Sequence, residues 1–114
     1  MATIEPTPSV PVNGVSVNIW TSVTENDTAS PITLSGSAPA LSAVQFTGTF
    51  GGATAIMQGS NDGTNWVALN DLTGTAISLT AAGGVEFTTS FVYLRPSFSG
   101  GTGQTLTAIM STRG

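Results

Sequence analysis

A chain of 114 residues suffices for one domain and is short of two ordinary ones. It holds no cysteine and no histidine, and only two cations, Arg95 and Arg113, against six acids, for a formal net charge of −4. That composition excludes disulfides, thiolate or imidazole catalysis and Cys/His metal centres, and it leaves no basic patch for a nucleic acid or an anionic membrane.

Charged residues make up only 7% of the chain, against about a quarter in an ordinary soluble domain. A surface of hydroxyls and small apolar groups has little charge repulsion to keep copies apart, so we expect a protein that sits against copies of itself or a partner. The first residues, Met1 to Pro6, carry neither the basic nor the apolar region of a leader peptide, and no apolar run nears the ~20 residues of a membrane span. We expect a soluble chain made in the cytoplasm.

Residues 1–14 are expected to form an extended, proline-containing arm, and residues 15–114 a single β-domain. Pro6, Pro8 and Pro11 fix φ and remove backbone donors. Two readings of the arm stay open: a frayed terminus, or a segment that orders on a neighbouring subunit. From Val15 the pattern alternates. Val15, Val17, Ile19, Thr21 and Val23 fall on one face, with Ser16, Asn18, Trp20 and Ser22 on the other. Trp20 on a polar face would cover a second layer, pack under the arm or meet a partner. A turn over Glu25-Asn26-Asp27-Thr28 follows, then a short strand Ile32-Thr33-Leu34, stopped by Ser35-Gly36-Ser37 and Pro39.

Ala43 to Phe50 reads as a strand in which Gly48 marks a bulge or the close approach of a large side chain such as Trp66. After the Gly51-Gly52 turn, Ala53 to Met57 and Trp66 to Leu69 flank Gln58-Gly59-Ser60-Asn61-Asp62-Gly63-Thr64-Asn65, a hairpin in which Trp66 is expected to anchor the return strand in the core. Further strands are expected at Ala76–Thr80, Val85–Thr89, Phe91–Phe98 and Gln104–Thr112. About eight strands, evenly spaced and without helical periodicity, point to an all-β antiparallel sandwich of jelly-roll type, with a barrel as the competing closure.

No catalytic constellation emerges. Gly100-Gly101-Thr102-Gly103 has no lysine and leads into a β pattern, so it reads as a turn rather than a phosphate loop. No acid has a local context that places a second carboxylate beside it. Asn61, Asp62, Asn65 and Asp71 could offer oxygens to calcium, but Asx residues in turns ordinarily cap backbone N–H groups. We expect no enzyme, no cofactor and no metal. Arg95, on a strand in a charge-poor chain, should pair with Glu86 or an Asp, or stack on an aromatic ring; the alternative role is an exposed interface anchor.

Four segments together carry a resemblance: Val44-Gln45-Phe46-Thr47-Gly48-Thr49-Phe50-Gly51-Gly52-Ala53-Thr54, then Gln58 to Trp66, Tyr93-Leu94-Arg95-Pro96, and Ser99-Gly100-Gly101-Thr102-Gly103. With these the chain resembles small β-rich structural proteins of tailed bacteriophages. The resemblance implies a virion component, a head decoration or cement protein on the capsid surface, with the major capsid protein and copies of itself as partners, a trimer favoured. It carries over no catalytic residue. Ser60-Asn61-Asp62-Gly63-Thr64-Asn65-Trp66 also looks like the S-x-D-G-x-x-W hairpin of discoidin-like and carbohydrate-binding sandwiches. In those families the hairpin is mainly a fold element, so sugar binding does not transfer with it; the alternative function is a tail-fibre or receptor-binding module, whose sugar-stacking candidates would be Trp20, Trp66 and Tyr93. The hairpin itself should fix register and packing, leaving function to the arm and the outer sheet face. The candidate interface is Pro6, Pro8, Pro11, Trp20 and Arg95.

Overall fold

β-Branched and aromatic residues in alternation with Ser, Thr and Gly fold this chain into strands. The computed structural model describes residues 3–12, 15–24, 27–34 and 40–113. Among them are eleven strands and no helix: β1 (Thr3–Ile4), β2 (Thr7–Val12), β3 (Val15–Thr24), β4 (Thr28–Ala29), β5 (Ile32–Thr33), β6 (Ala40–Thr49), β7 (Ala53–Ser60), β8 (Val67–Ala68), β9 (Gly83–Thr89), β10 (Tyr93–Gly100) and β11 (Thr105–Arg113). A five-stranded sheet runs β2-β3-β11-β6-β9, a four-stranded sheet β5-β10-β7-β8, and β1 pairs with β4. Both larger sheets are antiparallel throughout, and β1–β4 is parallel. The expected turn at Glu25-Asn26 and the stop at Ser35-Gly36-Ser37 and Pro39 lie outside the described residues.

The two sheets share one core. Trp20, Phe46, Phe87, Leu106 and Met110 enter it from the five-stranded sheet, and Met57 and Leu94 from the four-stranded one. Phe46 meets Phe98 of β10 edge to face, 5.8 Å between centroids, an arrangement that aromatic quadrupoles favour. Ala108 lies opposite Trp20 on one side and Phe46 on the other, so a small residue in β11 makes room for a large ring on each neighbouring strand. A Cα radius of gyration of 13.2 Å matches the roughly 13 Å of a compact domain of about 100 residues.

The strict alternation expected along β3 is broken at one point. Leu106 pairs with Val23 and Ala108 with Trp20, so Thr21 and Ser22 together face the single residue Thr107. Ser22 takes a positive φ of 56°, and its N–H donates to the Thr107 hydroxyl (3.4 Å). An extra residue in one strand reverses which residues point inward. Trp20 and Val23, three apart, are therefore both buried, while Val17 and Ile19 stand half-buried on the opposite face. This corrects the expected placement of Trp20 on the polar side. Its indole N–H donates to the Ser30 carbonyl (2.7 Å), satisfying the one polar group that burial would otherwise strand.

The N-terminal segment pairs within the chain. β2 pairs with β3 as an edge strand, with Thr7 opposite Ile19 and Ser9 opposite Val17, and β1 lies beside β4 with Ser30 N–H donating to Ile4 O (2.9 Å). Proline is compatible with an edge strand because one side of that strand has no ladder to complete. The pairing slips between Ser9 and Val12, the stretch that holds Pro11. The expected strand Ala76–Thr80 reduces to two isolated bridges, Ala55 with Leu79 and Asn70 with Ala76, although Ile77 is still buried. Gly48 has φ +108°, and a Cβ there would strike the Thr105 carbonyl oxygen. The close approach is thus backbone from β11, not the Trp66 ring.

Replacing Trp20 tests this core. Trp20→Ala is expected to cost about 3–5 kcal/mol, as large-to-small changes in cores do. Trp20→Phe keeps most of the ring but strands the Ser30 carbonyl, for about 1–3 kcal/mol. Urea unfolding should rank them in that order; an unchanged midpoint for Trp20→Ala would contradict the placement of the indole.

Candidate functional site

The hairpin between β7 and β8 is built on two side chains. Ser60, itself buried, accepts from the N–H groups of Asp62 (3.2 Å) and Gly63 (2.9 Å) and donates to the Asp62 carboxylate (2.9 Å). Asp62 Oδ1 accepts the N–H groups of Thr64 (2.9 Å) and Asn65 (2.8 Å), and Oδ2 accepts the Asn65 side-chain amide (2.8 Å). Gly63 closes the turn with φ +75°. These donors, led by the Asn65 and Thr64 backbone, hold the Asp62 carboxyl well below the usual carboxylate range, although it is fully exposed. A carboxylate that accepts this many N–H groups serves as a turn cap. Asn61 ties the hairpin to the chain before β10 by accepting from Val92 N–H (3.3 Å).

Beside the hairpin, β10 presents Tyr93, Arg95 and Ser97 away from the core, while Leu94 and Pro96 point into it. Arg95 pairs in register with Gln58 of β7, and its Nε donates to Gln58 Oε1 (2.9 Å). The guanidinium carbon lies 4.0 Å from the centroid of the Trp66 ring, a cation–π stack. Partial burial pushes the guanidinium below its ordinary pKa. Of the partners expected for Arg95, the structure selects the aromatic ring. Trp66 is accordingly a half-buried surface residue under Arg95, not the core anchor expected of it. Glu86, one of the expected acidic partners, sits on the outer face of the other large sheet, a separation that chain order does not reveal.

That outer face carries the second feature. With β3 shifted by its bulge, Val17 lies opposite Ser111 and Ile19 opposite Ile109, all pointing away from the core. Ala43 on β6 continues the stripe, opposite Glu86 on β9. At the β9 edge the loop after β8 folds over, with Leu72 N–H donating to the Glu86 carbonyl (3.2 Å). Asp71 shapes that loop: its Oδ1 accepts from Thr73 Oγ1 (2.7 Å), Thr73 N–H (2.9 Å) and Thr75 N–H (3.0 Å). The Thr73 hydroxyl leads the donors that keep the Asp71 carboxyl below its ordinary range. The result is a groove of about 780 Å³, floored by Val17, Ala43 and Ile109 and walled by Leu72, with Asp71 and Glu86 on its rim.

The candidate interface residues are thus dispersed. Arg95 lies on the outer face of the four-stranded sheet. Trp20 is wholly buried and cannot contact a partner in this fold. Pro6 is half-buried ahead of β2, Pro8 is exposed within it, and Pro11 belongs to its backbone. The sugar-stacking candidates fare no better as a group: Trp20 is inaccessible, one face of Trp66 is covered by Arg95, and Tyr93 is half-buried. The groove is the feature that the sequence alone conceals, since its apolar floor depends on the bulge at Ser22. No family model, curated protein or solved structure matches this chain.

The Asp62 network has a pH signature. A carboxyl whose pKa is depressed on folding contributes stability that is present above its unfolded value of about 3.9 and is lost as pH falls through the folded value. Asp62→Asn should therefore lower Tm most near neutrality, with the gap to the parent protein narrowing below about pH 4. Thermal unfolding between neutral and strongly acid pH checks this; a gap that widens on acidification would contradict it.

Proposed function

We propose that this chain is a non-enzymatic structural component of a tailed-phage virion, a β-sandwich of jelly-roll type that decorates the head and reinforces the capsid through protein–protein contacts. The observation that carries the proposal is the apolar groove on the outer face of the five-stranded sheet. A groove of this kind in a chain so poor in charge suits permanent contact with another protein surface. The resemblance of Val44–Thr54, Gln58–Trp66, Tyr93–Pro96 and Ser99–Gly103 to small phage structural proteins supports the head as the location. The side chains that would support chemistry are few: the sequence offers no histidine, cysteine or lysine, and the carboxylates of Asp62 and Asp71 are engaged as turn caps. The major capsid protein and copies of the chain itself, three being the favoured number, are the proposed partners. Synthesis occurs in the host cytoplasm and the site of action is the capsid surface.

Co-sedimentation tests this reading. Purified protein should bind expanded capsids of its own phage at fixed stoichiometry and raise the temperature at which they rupture. Binding to host cells or their polysaccharide, with none to capsids, would instead favour a tail-fibre or receptor-binding module.

A further inference from the structure

Arg95 is a well-prepared cation with no anionic partner among the described residues. Its guanidinium carbon lies 4.0 Å from the Trp66 ring centroid and its Nε is tied to Gln58 at 2.9 Å; both partners are neutral. Among the described residues its terminal N–H groups take no partner, so the fork that matches a carboxylate is fixed in orientation and open. A guanidinium whose rotamers are already restrained loses little further entropy on binding, and stacked Arg/Trp pairs are the residue types that dominate protein interfaces. Ile56 and Tyr93 flank it on the same outward face, both half-buried.

Glu86 is the complement. It is exposed on the outer face of the five-stranded sheet, its side chain takes no hydrogen bond among the described residues, and it stands on the rim of the apolar groove beside Leu72, which is 57% exposed. Arg95 and Glu86 face away from the core on different sheets, so the two cannot meet within one chain. Between two chains they can. One face offers a fixed cation framed by Ile56, Tyr93 and Trp66; the other offers carboxylates framed by Val17, Ile109 and Leu72.

We propose that the groove on one copy receives the Arg95–Trp66 face of a second copy, with Arg95 paired to Glu86 across the contact. Because the two patches differ, the contact is heterologous, and repetition gives a ring when the rotation closes. The proposal rests on the reading of this chain as an assembly component and identifies the surfaces by which copies meet. The acids outnumber the cations six to two, so a second copy brings carboxylates in excess, and each Arg95 becomes a register-setting contact rather than one of many.

Sedimentation velocity on the purified full chain tests the pairing without capsids. The parent protein should associate with rising concentration, and less so in raised salt. Arg95→Glu and Glu86→Arg should each weaken association by about 30-fold or more, as loss of one partner of a desolvated charge pair does. The double variant carrying both changes should recover association to within a few-fold of the parent. Circular dichroism and Tm of each variant establish that it is folded; because Glu86 lies far from the Trp66 stack, its variant keeps the test valid if Arg95→Glu perturbs the hairpin. A parent protein that stays monomeric would overturn the inference, and so would association that neither single change weakens or that the double change fails to restore. A monomer that still binds capsids would overturn the pairing and leave the head reading standing; an associating chain that ignores capsids would do the reverse.

Discussion

The burial of one indole organises this molecule. Trp20 can lie in the core only because β3 carries an extra residue at Thr21-Ser22, because Ala108 leaves space beside it, and because the Ser30 carbonyl takes its N–H. Each condition has a structural consequence. The bulge sends Val17 and Ile19 outward, where they join Ile109 in an apolar stripe. The small residue at 108 lets Phe46 close on the same layer and meet Phe98 from the other sheet. The hydrogen bond draws the segment after β4 against the core, and β1 is held there in turn through Ser30 N–H. Core packing and the surface groove therefore have a common origin in the conformation of Ser22.

The outer surfaces divide the work differently. Where charge occurs, it is mostly tied down: Asp62 and Asp71 each accept several N–H or O–H donors and hold loops in shape, as turn carboxylates do. Arg95 is ordered by neutral groups, and Glu86 is exposed. In a chain with so few ions, Arg95 and Glu86 are the pair we propose to set register between subunits, while hydroxyls and small apolar groups supply the area. This arrangement fits a chain that ends its life inside an assembly, where surface charge for solubility matters less than complementarity.

Much of the fold is legible in the sequence, and the gaps have physical reasons. Period-two alternation locates Val15–Val23, Ala43–Phe50, Ala53–Met57, Val85–Thr89, Phe91–Phe98 and Gln104–Thr112, since each buries one side of a strand. The hairpin chemistry of Ser60, Asp62 and Gly63 is local and can be read directly. The bulge cannot, because a serine with positive φ carries no mark in the sequence, and one inserted residue inverts the apparent faces of β3. Prolines 6, 8 and 11 favour extended structure over a central strand but do not reveal the pairing of β2 with β3, because an edge strand needs a ladder on one side only. Strand order is likewise hidden: Arg95 and Glu86 are nine residues apart and end on different sheets. Trp66 has the size of a core residue, but its position just before the edge strand β8 leaves it on the surface beneath Arg95.

We propose that this chain acts by lying on a phage head through its sheet faces. Cryo-electron microscopy of the intact virion tests it most directly. Density for this fold is expected at regular positions over the capsid lattice, with the face bearing Val17, Ile109 and Leu72 covered by a neighbouring chain. Density confined to the tail or its fibres, or a capsid-bound copy whose groove faces open solvent, would contradict it.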